Sequence, residues 1–81
     1  MKVSDFRRNL IMSAAARSGL RSQREVADRS AIPRSTLYRR LENPGTLTVS
    51  ELCLLDHRLK LTDEEIVNIV RGRETKGKSK N

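Results

Sequence analysis

The sequence predicts an all-α fold of five helices. Its apolar residues are mainly Leu, Ala, Ile and Val, and no stretch alternates apolar and polar with period two. Three capping-box patterns, Ser22 with Glu25, Thr48 with Glu51 and Thr62 with Glu65, mark three helix starts. Gly19, Pro44-Gly45 and Gly72 fall between the periodic segments, where helices stop.

The first helix is expected over about Asp5–Arg17, with Ser4 as N-cap and Asp5 near the positive end of the helix dipole. Phe6, Leu10 and Ala14, four apart, form its expected buried stripe with Ile11 beside it; Arg7, Arg8 and Arg17 lie off the stripe. Gly19 is a natural C-cap. A second helix follows at about Gln23–Arg29. In its box, Ser22 accepts from the backbone three residues on and Glu25 reaches back to the Ser22 amide. The third is expected at about Pro33–Glu42, with Pro33 as a first-turn residue that has no N–H to lose. Val26, Ala27, Ile32, Leu37 and Leu41 should face inward.

After Pro44-Gly45 the fourth helix starts at Thr48 and offers Leu52, Cys53, Leu55 and Leu59 to the core, Cys53 as a small buried hydrophobe. The fifth starts at Thr62 and ends near Arg71-Gly72. Residues 1–71 are therefore read as one small domain, and residues 72–81, GRETKGKSKN, with no apolar side chain, as a disordered basic tail. Arg73, Lys76, Lys78 and Lys80 in that tail carry charge without shape and would strengthen binding to any polyanion alike.

Charge narrows the function. The formal net charge is +7 and the sequence pI near 10.5, which points to a polyanionic partner, nucleic acid first and an anionic membrane surface second. No apolar run approaches the roughly 18 residues of a spanning helix, and no apolar block follows Lys2 as in a signal peptide. A lone cysteine makes no internal disulfide, in keeping with a reducing cytoplasm. His57 has no second ligand at metal spacing, and Asp63, Glu64 and Glu65 suit a helix's first turn better than a carboxylate active site. With no phosphate loop and no nucleophile–base arrangement, the chain is expected to be neither an enzyme nor a metal or cofactor binder.

The third helix carries the chemistry. From Arg34 to Arg40 it presents Arg34, Ser35, Thr36, Tyr38, Arg39 and Arg40 with no acid, a balance of +3, whereas residues 61–71 balance at −2. Guanidinium forks bond bidentately to guanine O6/N7 or to phosphate, and hydroxyls serve base edges or phosphates. A helix of this surface fits the major groove, about 12 Å wide. An ordinary solvated helix face mixes signs, and this one does not.

The order Gln23-x-Glu25-Val26-Ala27, Ile32-x-Arg34-Ser35-Thr36-Leu37 and Leu41-Glu42-Asn43 resembles the helix-turn-helix of the lambda-repressor-like, or Cro/cI and XRE-type, family. The likeness spans roughly residues 6–70 and is densest over 22–43. It implies a compact five-helix domain that reads double-stranded operator DNA with its third helix. Carried onto this chain, the DNA contacts are Gln23, Arg24, Pro33, Arg34, Ser35, Thr36, Tyr38, Arg39, Arg40 and Asn43. Gln23, with the amides of its helix N-terminus, would meet a phosphate; Arg34, Ser35, Thr36 and Arg39 would read bases; Arg40 would meet phosphate; Tyr38 would pack on sugar or a thymine methyl. The family's usual turn glycine is Ala31 here, at a cost of about 1 kcal/mol if left-handed. Ser30 stands where an apolar residue is common, and the closing Leu-Glu-Asn sits one residue late behind Arg40.

Two functions stay open on the sequence. One is a transcriptional regulator of the phage Cro or short repressor type, acting on DNA in the cytoplasm. The other is an interaction module on the same fold, antitoxin-like or protein-docking, which would be expected to carry apolar anchors on its third helix. One reading helix gives few base contacts, so a weak homodimer, strengthened on DNA, is also expected. On the fifth helix Ile66, Val67, Ile69 and Val70 spread over an arc of about 160°, wider than one packing stripe needs, so Val67 or its neighbours would remain for a partner, with Leu59 and Leu61 adding to the patch.

Overall fold

Two arginines one turn ahead of Ile11 set how the first helix lies in this molecule. In the computed structural model, which describes residues 2–74, α1 runs over Val3–Arg17. Its buried residues are Ile11, Ala14 and Ala15, and the i, i+3/i+4 spacing continues that stripe back through Arg7 and Arg8 rather than past them. Both arginines are accordingly half-buried. Phe6 and Leu10, the expected stripe, are only half-buried on its flank. The helix also starts earlier than expected, with Lys2 at the N-cap position and no side-chain cap; Ser4 lies inside the first turn. At the other end Gly19, at φ +86°, closes a Schellman turn: the Leu20 amide donates to the Ala15 carbonyl and the Gly19 amide to that of Ala16.

Among the described residues four more helices follow: α2 (Gln23–Ser30), α3 (Arg34–Glu42), α4 (Val49–Leu59) and α5 (Asp63–Arg71), with a 3₁₀ turn at Pro44–Thr46. The described residues contain no strand. The boxes of α4 and α5 form in full; Thr48 and Thr62 accept from the amides of Glu51 and Glu65, whose carboxylates accept in return. That of α2 forms by half. Ser22 Oγ accepts from the Glu25 amide at 3.1 Å, but Glu25 takes the Arg21 amide at 2.6 Å instead of Ser22's own. Pro33, at ψ 139°, is the extended cap before α3 rather than its first helical residue.

The core draws on every helix: Ile11, Ala14, Ala15, Leu20, Val26, Ala27, Ile32, Leu37, Leu41, Leu55, Leu59, Leu61 and Ile69. All five residues of the α2–α3 segment expected to face inward are in it. Cys53 is not, and lies exposed. Leu52, Leu55 and Leu59 define the inner face of α4, and Cys53 sits about 120° or more around the helix from that face.

Helix C-termini leave carbonyls without intrahelical donors, and arginines from neighbouring segments supply them here. Arg7 Nε donates to the Ile69 carbonyl at 2.8 Å and its Nη2 to that of Val70 at 3.0 Å, closing α5 onto α1. Arg8 Nη1 donates to the Leu41 carbonyl at the end of α3 at 2.9 Å while also pairing with Asp5. Arg58 Nε donates to Arg29 at the end of α2 at 2.8 Å. Ser18 Oγ and Arg17 Nη2 serve Leu59 and Lys60 at the end of α4. No helix among the described residues is long and apolar enough to cross a membrane. The expected tail falls mostly outside the described residues.

Candidate nucleic-acid interface

The turn between α2 and α3 is three residues long, Ala31–Pro33. Ala31 takes the left-handed conformation, φ 60° and ψ 29°, that glycine adopts most readily. Its amide donates to Ala27 and so does that of Ile32, which buries the Ile32 side chain between the two helices. Leu37 and Leu41 then anchor α3 inward. At about 100° per residue, the point opposite those leucines is occupied by Arg39, with Ser35 one turn before it and Glu42 one turn after. All three are exposed. The Arg39 guanidinium has no hydrogen-bond or ionic partner among the described residues.

The flanks of α3 behave differently. On the side toward α2, Arg34 faces Asp28. Its Nε donates to Oδ1 at 2.9 Å and its Nη2 to Oδ2 at 2.8 Å, a two-point pair with both side chains 48% exposed. The Arg34 guanidinium holds the Asp28 carboxyl below the usual range, with Arg24 adding to it; Asp28 in turn raises Arg34. Tyr38, one turn on from Arg34 and 39% exposed, completes this side. On the side toward α4, Arg40 is half-buried and its Nε donates to Glu51 Oε1 at 2.9 Å, the oxygen that also accepts from the Thr48 amide. Burial pushes the Glu51 carboxyl up, but the Thr48 and Arg40 hydrogen bonds outweigh it and hold the group below its ordinary value. Thr36 is half-buried on the same flank.

The helix thus lacks acids of its own from Arg34 to Arg40, yet two of its three arginines are met by carboxylates of other helices. Nothing in the sequence singles out Asp28 or Glu51 as partners of these arginines. Asp28 is six residues before Arg34 and on another helix, a separation no helical period relates; Glu51 was accounted for by its cap. Among the other expected contacts, Gln23 is half-buried at the start of α2, and Arg24, Pro33 and Asn43 are exposed. The Asn43 carbonyl accepts from the Thr46 amide and hydroxyl, which fixes the exit from α3. The arrangement offers an exposed Ser35–Arg39 ridge, flanked by a braced Arg34 and a phenol. Among the described residues no three metal-ligating side chains come together.

No family profile matches the chain, and no curated protein or solved structure matches it.

Proposed function

We propose that this chain is a sequence-specific, double-stranded DNA-binding regulator of the lambda-repressor-like kind, Cro-like or short repressor in type, which lays α3 in the major groove. The observation that carries the reading is the outward ridge of α3. Ser35 and Arg39 stand exposed on a nine-residue helix whose opposite side is locked into the core by Leu37 and Leu41. A rigid helix with hydroxyl and guanidinium groups on its free side suits base edges and phosphates. The excess of cations supplies the non-specific attraction. On this reading the protein acts on DNA in the cytoplasm and catalyses no reaction.

The interaction-module alternative draws on a different surface. Val49 is 79% exposed, Val70 60% and Val3 53%, and none of them is on α3. We propose that this apolar exposure serves at most a weak homodimer through α5, where Val67 and Val70 are exposed. Leu59 and Leu61 are buried in the core and take no part in it.

Selection of bound duplexes from a random pool at near-physiological salt tests the reading. A defined motif is expected, palindromic with half-sites about 34 Å apart if the dimer forms on DNA. Arg39→Ala should weaken binding to the selected site by roughly 1–3 kcal/mol and relax its preference. Recovery of no preferred sequence overturns the proposal; a motif that survives Arg39→Ala intact moves the reading face elsewhere on the molecule.

A further inference from the structure

Arg34 is held by one edge only. A guanidinium has two forks useful for paired acceptors: a side fork, Nε–H with one Nη2–H, and an end fork, one Nη1–H with the other Nη2–H. Asp28 occupies the side fork at both points, 2.9 and 2.8 Å. The end fork, directed along the axis of the side chain, has no partner among the described residues. With both partners about half exposed, such a pair adds little to stability, since water screens it and ordering two side chains costs entropy. What it does is fix a long side chain in one orientation.

We propose that Asp28 is a positioning residue for base recognition: it clamps the side fork of Arg34 and so presents the end fork to the paired acceptors of a guanine. This rests on the reading of α3 as the DNA-reading helix. Guanine offers two acceptors on its major-groove edge, O6 and N7, which match two parallel N–H groups. Adenine offers N7 beside an N6 donor, so the same fork meets a donor face to face. The carboxylate has a second effect. It repels phosphate from the side fork, so Arg34 is directed away from the backbone, where its charge would be spent without reading sequence. Arg39, whose guanidinium is paired with no carboxylate among the described residues, is not restricted in this way. Arg40 is clamped by Glu51 but half-buried against α4, so the same device there serves the fold.

Binding by the full chain and by Asp28→Ala, Arg34→Ala and the double variant, measured on the duplex the wild type selects and on every single-base change of it, tests the inference. 7-Deazaguanine at the preferred position removes the N7 acceptor alone. Wild type should prefer guanine at one position by about tenfold or more, and lose most of that with 7-deazaguanine or Arg34→Ala. Asp28→Ala should cut the same preference several-fold while leaving binding to unrelated duplexes equal or tighter, because a negative charge near the backbone has gone. In the Arg34→Ala background, Asp28→Ala should change the base preference no further. Asp28→Glu should restore part of it. Unfolding of each variant, followed in parallel, separates loss of structure from loss of positioning, and Asp28 is exposed on α2 where its removal disturbs no packing. If Arg34→Ala abolishes the guanine preference and Asp28→Ala leaves it whole, the positioning role is overturned and the DNA reading stands. A change at a different base that is independent of Arg34 also overturns it, since Asp28 is then reading for itself. A wild type with no preference among duplexes removes the DNA reading and this inference together.

Discussion

Ser30 is 3% exposed and its Oγ meets no hydrogen-bond partner among the described residues. A buried hydroxyl that gives up water without a replacement costs about 1–3 kcal/mol. Ser30→Ala keeps the backbone and nearly the volume, so it should raise stability by roughly 1 kcal/mol, read as a higher urea midpoint with an unchanged slope. The neighbouring Ala31 carries the second local strain of the turn, at φ 60°. Both residues were conspicuous in the sequence as departures from the resembling family, one polar in an apolar place and one with a β-carbon in a glycine place. Their consequences needed the structure, because the burial of Ser30 and the left-handed backbone of Ala31 are set by the folded chain. Asp28 is the opposite case: an ordinary exposed acid on a short helix, given meaning only by the guanidinium that folds back across the turn to meet it.

At the scale of the element, starts were easier to read than faces. A capping residue acts on amides within its own turn, so Thr48 and Thr62 mark α4 and α5 without help from the rest of the molecule. Faces depend on neighbours. The spacing of Phe6, Leu10 and Ala14 sets Arg7 and Arg8 off the buried stripe, whereas the carbonyls at the ends of α5 and α3 draw them onto the inner side of α1. Cys53 was assigned to the core by its company of leucines, against the angular position that exposes it. Helix ends give a direct test. Gly19 and Gly72 are both left-handed, at φ +86° and +75°. A β-carbon on Gly19 meets nothing within 4 Å, while one on Gly72 comes within 2.8 Å of Val3 Cγ1 and 3.0 Å of Arg7 Nη2. Gly19→Ala should therefore cost only the backbone strain, ~1 kcal/mol, and Gly72→Ala that plus an overpacking cost of ~1–3 kcal/mol. Equal losses for the two in chemical denaturation would refute the close seat of Gly72 on α1.

For the whole molecule, α1 is the hub to which the later helices are fastened, and one of those fastenings is sensitive to acid. Arg17 Nη1 and Nη2 donate to the two oxygens of Glu65 at 2.8 and 3.0 Å, joining the end of α1 to the first turn of α5. Chiefly through the Arg17 hydrogen bond, the Glu65 carboxyl is lowered from 4.5 to about 2. A carboxyl lowered on folding stabilises the native state above its unfolded pKa and loses that contribution as pH falls toward the folded one. The contribution of Glu65 is thus whole above about 4.5 and gone near 2. Glu65→Gln retains an acceptor for the α5 cap but not the charge. Its midpoint should lie below that of wild type at neutral pH, and the two should converge as pH falls through that window. A constant gap down to pH 2 would show that the ion pair contributes nothing.

The tie from Arg7 to α5 also sets an order in time. The carbonyls it holds lie 62 and 63 residues further along the chain. At a synthesis rate of ~5–20 residues per second, Arg7 is made roughly 3–12 s before its partners exist. Closing so long a loop carries an entropic cost and slows folding, although each added residue contributes little. The α2–turn–α3 unit is therefore made before the last helix arrives to brace α1. A chain that stops short of Ile69 lacks the carbonyls that hold Arg7, and α1, against which α3 packs, is left without that tie to α5.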